Sequence, residues 1–209
     1  TRNGKIKRVA LSEFESARPS GLIAIGLASD DELGWVHLTV DKQHIVIITE
    51  QGQALRFNSS LVRSMGRPAA GVNAINLRKG DHISGMVTVT DDGELLVVTA
   101  NGYGKRTSME AYNPKGRATM GVATFSRKAV AKVTGPIVAV RSVRPDDQIT
   151  IISANGQALR TTVSDIRLLG RATQGTRLMN LKPGDTVASV ARLASADLPV
   201  SEDTELITE

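Results

Sequence analysis

The chain has 209 residues, 41% of them hydrophobic, which is enough to bury a substantial core and argues against disorder. It contains no cysteine, so disulfides, thiolate nucleophiles and thiolate metal sites are excluded together, in keeping with a reducing compartment. Net charge is +5, but residues 196 to 209 hold Asp197, Glu202, Asp203, Glu205 and Glu209 with no Lys or Arg; residues 1 to 195 therefore carry 26 basic against 16 acidic groups, net +10, a distribution that favours a polyanionic partner.

The chain opens on Thr1-Arg2-Asn3-Gly4, which has none of the parts of a signal peptide, and no stretch approaches the roughly 20 apolar residues of a membrane helix. A soluble protein is expected. The absence of an initiator Met and the opening on a turn lead to the expectation that the chain is a segment of something longer.

One pattern recurs four times. Asn3-Gly4, Gln51-Gly52, Asn101-Gly102 and Asn155-Gly156 follow one another at spacings of 48, 50 and 54, and the last three end β-rich runs such as Ile45-Val46-Ile47-Ile48-Thr49. Each is read as a hairpin turn, because such pairs supply the positive φ that a two-residue turn needs. Four residues after each glycine stands Arg8, Arg56, Arg106 or Arg160, and ten after it an apolar anchor, Phe14, Val62, Tyr112 or Ile166. A second glycine follows at plus 19 in Gly71, Gly121 and Gly175, and at plus 17 in Gly21. Ten residues further on are Asp31, Asp81 and Asp185, before another β-rich run; the third copy departs, with Ala131 inside an insertion.

Each copy thus predicts four short strands, and a four-stranded sheet repeated near fifty residues is the signature of a propeller blade, whose faces only neighbouring blades cover. The expected fold is an all-β propeller or β-pinwheel with repeats at about 1–43, 44–93, 94–147 and 148–193, ahead of an acidic tail at 196–209. Helix is limited to single turns such as Ser12-Glu13-Phe14 and Ser164-Asp165-Ile166, where the serine is placed to cap. The first copy lacks a strand ahead of its turn, and four blades are the lower limit for propellers. Either the chain belongs to a larger ring, the favoured reading, or the tail run Glu205-Leu206-Ile207 supplies the missing strand.

Convergent catalytic groups do not stand out. His37, His44 and His82 are too scattered for a metal cluster, and no phosphate-cradling Gly-rich loop or Gly-x-Ser-x-Gly elbow is present. Gly102-Tyr103-Gly104 lies in a hairpin turn at the repeat period, so a structural reading is preferred. Asp31, Asp81 and Asp185 recur with the repeats and read as turn formers.

The basic residues also recur in register, and a repeated Arg on successive blades would draw a stripe of charge. The candidate DNA-binding positions are Arg8, Arg56, Arg106 and Arg160 after the hairpin turn; Arg63 and Arg167 at plus 11; and Arg67, Arg117 and Arg171 before the second glycine, with Arg18 displaced by one. Lys5, Lys7, Lys105, Lys115, Arg127, Lys128, Lys132 and Arg177 add to them. For any one residue, a solvated charge or an ion pair is an equal alternative. Aromatic content is 3%, and Phe14, Phe57 and Tyr112 fall at inward positions, which suits duplex DNA held by its phosphates better than stacked single strands. The sequence suggests no recognition helix, so base readout is not expected.

Asn3-Gly4-Lys5-Ile6-Lys7-Arg8, Val62-Arg63-Ser64-Met65-Gly66-Arg67, Asn101-Gly102-Tyr103-Gly104-Lys105-Arg106-Thr107 and Gly170-Arg171-Ala172-Thr173-Gln174-Gly175 together resemble the C-terminal domain of the bacterial type IIA topoisomerase A subunits, gyrase in particular. The resemblance runs from residue 1 to about 193. It implies a six-bladed β-pinwheel with strands exchanged between blades, of which this segment would be blades three to six. It also implies a role in wrapping double-stranded DNA for ATP-dependent negative supercoiling, with the rest of the gyrase A polypeptide and the gyrase B ATPase as partners, in the bacterial cytoplasm. No cofactor, membrane contact or catalytic site is expected in this segment: the cleaving tyrosine of the family follows an Arg, whereas Tyr103 follows Gly102 and Tyr112 follows Ala111. The basic heptapeptide that marks the first blade is absent, and residues 66–71, 116–121 and 170–175 are its degenerate counterparts. Topoisomerase IV, with a more degenerate propeller, is the near alternative, and a protein-binding propeller the distant one.

Overall fold

The computed structural model describes residues 1–16, 19–90 and 92–197. Its strands, in chain order, are β1 (Lys5–Ile6), β2 (His44–Thr49), β3 (Gln53–Asn58), β4 (Val72–Asn73), β5 (Ile83–Thr88), β6 (Glu94–Thr99), β7 (Tyr103–Ser108), β8 (Val122–Ala123), β9 (Ile137–Val143), β10 (Gln148–Ser153), β11 (Ala158–Thr162), β12 (Thr176–Arg177) and β13 (Val187–Leu193).

The expected hairpins form. β2 pairs with β3, β6 with β7 and β10 with β11, all antiparallel. The first strand of each hairpin also pairs with the strand that closes its repeat, β5, β9 or β13, and the register shifts at the same place each time, at Ile48/Thr49, Val98/Thr99 and Ile152/Ser153.

The fourth strand of each sheet comes from elsewhere. β4 of the second repeat pairs with β1 of the first, β8 of the third with β3 of the second, and β12 of the fourth with β7 of the third. A sheet such as β8-β3-β2-β5 is therefore built from two consecutive repeats rather than from one. This corrects the expectation that each copy supplies its own four strands. The assembly is all-β, a row of antiparallel sheets of the β-pinwheel kind, and among the described residues the sheets do not close into a ring.

The second glycine makes the exchange possible. Gly71 has φ +86° and Gly175 φ +72°, and a Cβ on either would lie 2.5 Å from the Ile6 carbonyl oxygen or 2.6 Å from that of Gly104. Only a residue without a side chain lets the incoming segment approach the neighbouring strand this closely.

The core lies between the sheets. Ile45 and Ile47 of β2 face one cluster with Phe57, Val62 and Ile75, while Val46 and Ile48 face the next with Leu95, Val97, Tyr112 and Phe125. β6 divides in the same way: Leu96 and Val98 join Ile149, Ile151 and Ile166. Strands covered on both faces read as unbroken apolar runs, which is why the period of two is hidden there. Toward one edge, β9 packs against both β5 and β13, with Ser84 Oγ donating to the Ile137 carbonyl and the Arg141 guanidinium to that of Val190.

The recurring aspartates cap the hairpin turns. Asp31 Oδ1 accepts from the Asn3 and Glu32 N–H groups, Asp81 Oδ1 from Gln51 and His82, and Asp185 Oδ1 from Asn155 and Thr186, all at 2.8–3.1 Å. In the third repeat the insertion forms a short helical turn, Arg127–Ala129, running into Val130–Thr134. There the Thr134 carbonyl accepts from the Asn101 N–H and the Val133 carbonyl from its side chain. A backbone group thus does the work of the missing Asp.

Two smaller expectations change. The single 3₁₀ turns run Leu11–Phe14, Ser59–Leu61, Met109–Ala111 and Val163–Asp165, so Ser12 and Ser164 lie inside them, and the capping side chains are Asn58 and Ser108. Among the described residues the first repeat forms only β1. With no strand to pair with there, Ile23, Val36, Leu38 and Val40 are exposed, and residues 33–40 border an apolar groove of about 740 Å³ with Ile6, Val9, Phe14 and Ile45. Most of the acidic tail, including Glu205-Leu206-Ile207, lies outside the described residues.

Candidate nucleic-acid interface

The segment that precedes each second glycine docks on the hairpin of the repeat before it. The N–H groups of Met65, Lys115 and Leu169 donate to the carbonyls of Arg8, Arg56 and Arg106, so each of these plus-four arginines receives the next repeat's loop on its own backbone. The loop residues therefore form an outer layer, and the strand residues beneath them an inner one.

The candidate basic residues divide along that line. Arg106 is buried: its guanidinium donates to Glu94 Oε2 at 2.6 Å, to the Ile166 carbonyl at 2.7 Å and to the Ser164 carbonyl at 3.1 Å. Arg56 does the same one repeat earlier, donating to the Met109 and Tyr112 carbonyls and to His44 Nδ1. Burial, and then the Arg56 charge, lower the His44 pKa, so this imidazole is neutral and free to accept. Lys105 is fully buried, and Lys7 is half-buried with its ammonium on the Ala24 and Arg67 carbonyls. Arg56 and Arg106 are thus clamps between repeats rather than members of a free stripe. Their donors are used on the 3₁₀ turn of the next repeat. Arg160 differs because no later loop docks on it among the described residues: it is exposed, with Nε on Gln148 Oε1. Arg8 is half-buried, 3.7 Å from Asp41.

The loop residues are the accessible ones. Arg63, Lys115, Arg127, Lys128, Arg167, Arg177 and Lys5 are exposed, and Arg67, Arg117 and Arg171 are partly so. Arg18 lies outside the described residues. Three successive repeats meet at one point on this surface: Lys5 Nζ donates to Asn73 Oδ1, and Arg117 donates to the Asn73 and Leu61 carbonyls. Further along, the Ser126 N–H donates to the Thr173 carbonyl, which brings Arg127 and Lys128 beside the loop of Arg171. Arg177 stacks on Tyr103, its guanidinium carbon 4.8 Å from the ring centroid.

Asn73 was not singled out from sequence, and Tyr103 and Thr173 were named there only within motifs, not as members of this surface. The inward place of Lys105, next to the Arg106 clamp, did leave a signal there: Lys105-Arg106-Thr107 faces Leu95-Leu96-Val97 across a hairpin, and the second and fourth repeats carry Leu55 and Leu159 at plus three, which marks an inward position. Among the described residues no group of three or more His, Asp or Glu is placed to hold a metal, and no helix is long and apolar enough to cross a membrane.

Strand-exchanged antiparallel sheets in series, with a layer of basic loops over them, define a repeat domain of the β-pinwheel class. The chain belongs to the family described as DNA gyrase C-terminal domain, beta-propeller, which it matches over residues 1–37, 43–90, 93–135 and 147–194, one match per repeat. It is 52% identical to the DNA gyrase A subunit of Halalkalibacterium halodurans over 209 residues, covering 100% of this chain and 25% of that protein. The chain thus spans a quarter of the length of that relative. Among solved structures it is similar to the C-terminal domain of DNA topoisomerase IV, with TM-score 0.88 at 28% identity over 94% of this chain and 61% of that one. It is likewise similar to a DNA gyrase A C-terminal domain, with TM-score 0.83 at 28% identity over 92% and 63%.

Proposed function

We propose that the chain binds duplex DNA through its phosphates, without reading bases, and bends it along the layer of docked loops, as part of the A subunit of a type IIA topoisomerase. The observation that carries this reading is the meeting of Lys5, Asn73 and Arg117, by which three consecutive repeats present one continuous polar edge. The contact set is Lys5, Arg63, Arg67, Lys115, Arg117, Arg127, Lys128, Arg160, Arg167, Arg171 and Arg177. Arg56, Lys105 and Arg106 act beneath it.

The finer reading is gyrase: DNA wrapped on this edge to support ATP-dependent negative supercoiling in the bacterial cytoplasm, together with the rest of the gyrase A polypeptide and the gyrase B ATPase. Identity to a gyrase A relative favours this over topoisomerase IV, although the topoisomerase IV domain is the more similar of the two in shape, with TM-score 0.88 against 0.83. The four repeats would belong to a six-bladed domain. In support, Leu22 and Ile23 stand where β4, β8 and β12 stand in later repeats and have no strand to pair with among the described residues, while β11 at the other end lacks an exchange strand there.

Bending 20 to 30 base pairs by about 40 to 90° costs roughly 1 to 6 kcal/mol, which counterion release from several phosphates can offset. Titration of a duplex of about 40 base pairs labelled at both ends tests the reading. If about six phosphates are neutralised, log K falls against log salt with a slope of about −5, and end-to-end energy transfer rises on binding. Failure to retard DNA at any salt concentration would replace this reading with that of a protein-binding domain.

A further inference from the structure

Lys105 carries a charge into the core where the fold itself does not require one. The same position is Leu55 in the second repeat and Leu159 in the fourth, so an aliphatic side chain satisfies the blade. In the third repeat Lys105 is 0% exposed, and its Nζ lies 5.2 Å from the centroid of the Phe125 ring. It donates to the Gly170 carbonyl at 2.6 Å, to the Arg171 carbonyl and to Thr173 Oγ1 at 3.0 Å. An ammonium has three protons, and all three are used on one loop. Lys7 holds the equivalent place in the first repeat but is half-buried there, with its ammonium on the Ala24 and Arg67 carbonyls and the Arg67 guanidinium 3.9 Å from Glu13.

The loop arginines differ accordingly. Over Leu55, Arg117 bends back and satisfies the Leu61 and Asn73 carbonyls with its own guanidinium. Over Lys105, the lysine holds the loop's own Gly170 and Arg171 carbonyls from below, and the Arg171 guanidinium makes no side-chain hydrogen bond among the described residues. Turning those carbonyl oxygens inward also keeps their negative ends away from an approaching anion.

We infer that Lys105 is a positioning residue for the loop 170–175: its ammonium gathers the loop carbonyls from below and leaves the Arg171 guanidinium free to meet a phosphate. This role rests on the DNA-binding reading above and gives Lys105 a part in binding without contact to the ligand.

The absence of cysteine permits a direct test. Lys105→Cys carries a single thiol, which is alkylated in denaturant with 2-bromoethylamine, restoring an ammonium, or with 1-bromopropane, giving a neutral side chain of similar length. After refolding, duplex affinity is measured across salt concentration. The aminoethyl protein is expected to bind like the unmodified chain. The propyl protein should bind about tenfold more weakly, as for loss of one charged hydrogen bond, with a salt slope smaller by about 0.9. If the propyl protein does not refold, Lys105→Leu replaces it, since leucine occupies this site in two repeats. A cycle with Arg171→Ala completes the test: combined losses well short of additive support action through Arg171, and additive losses oppose it. Equal binding by the aminoethyl and neutral proteins overturns the inference while leaving the DNA-binding reading intact. Failure of the unmodified chain to bind removes the reading itself.

Discussion

Replacing Gly175 with alanine separates two costs that are usually confounded. Gly175 and Gly184 both sit at positive φ, +72° and +79°, but a Cβ at 184 meets nothing within 4 Å, whereas at 175 it would lie 2.6 Å from the Gly104 carbonyl oxygen and 3.1 Å from the Phe125 ring. Gly184→Ala incurs only the left-handed conformation, about 1 to 2 kcal/mol. Gly175→Ala incurs that and must also push the incoming segment off β7, where Thr176 pairs with Gly104 and Arg177 with Tyr103. Loss of two backbone hydrogen bonds at about 0.5 to 1.5 kcal/mol each brings the total to about 2 to 5 kcal/mol, a large part of the roughly 5 to 15 kcal/mol of a typical domain. Urea unfolding followed by circular dichroism measures both variants against the unmodified chain. Losses for the two alanines within about 0.5 kcal/mol of each other would refute the claim that close backbone approach, rather than φ alone, selects glycine in the exchange.

Arg106→Ala leaves Glu94 without its partner and should cost about 3 to 5 kcal/mol of stability, while Arg160→Ala should stay within about 0.5 kcal/mol; similar values in urea titrations would contradict the clamp. Asp147 is buried and accepts from the Arg144 and Ser195 N–H groups and twice from the Arg192 guanidinium. Burial opposes its ionisation, but the Arg192 hydrogen bond, those backbone donors and the Arg192 charge outweigh it and hold its pKa below the ordinary 3.8. A carboxyl lowered on folding contributes stability that is complete above the unfolded value and is lost as pH falls through the folded one. Asp147→Asn should therefore lower the urea midpoint at neutral pH and flatten its fall as pH drops from about 4 to about 2; an unchanged acid limb would show that other carboxylates govern it.

The turns and anchors were legible in sequence because they are local. Gly52 and Gly102 end hairpins where the dipeptides place them, and Val62, Tyr112 and Ile166 are buried as their register predicts. Strand exchange was not legible from spacing, since nothing in the distance of Val122 from β7 or β3 says which of them it will choose. Only the resemblance to a strand-exchanging family pointed to it. The inward turn of Arg56 and Arg106 was hidden for a related reason. Charge in register fixes that Arg8, Arg56, Arg106 and Arg160 occupy equivalent places, but not whether those places face water or the next repeat's carbonyls. That depends on which segment lands on them, and the landing segment lies about fifty to sixty residues downstream.

Because each repeat lends its short strand to the one before, no cut between sequence copies yields two satisfied halves. One fragment would keep a bare edge and the other a stranded dipeptide. The converse holds for gain: a duplicated copy inserted between two others finds a receiving edge on one side and a donor on the other, with no new interface to invent. A row joined this way could be lengthened or shortened by whole units while every remaining joint keeps its geometry.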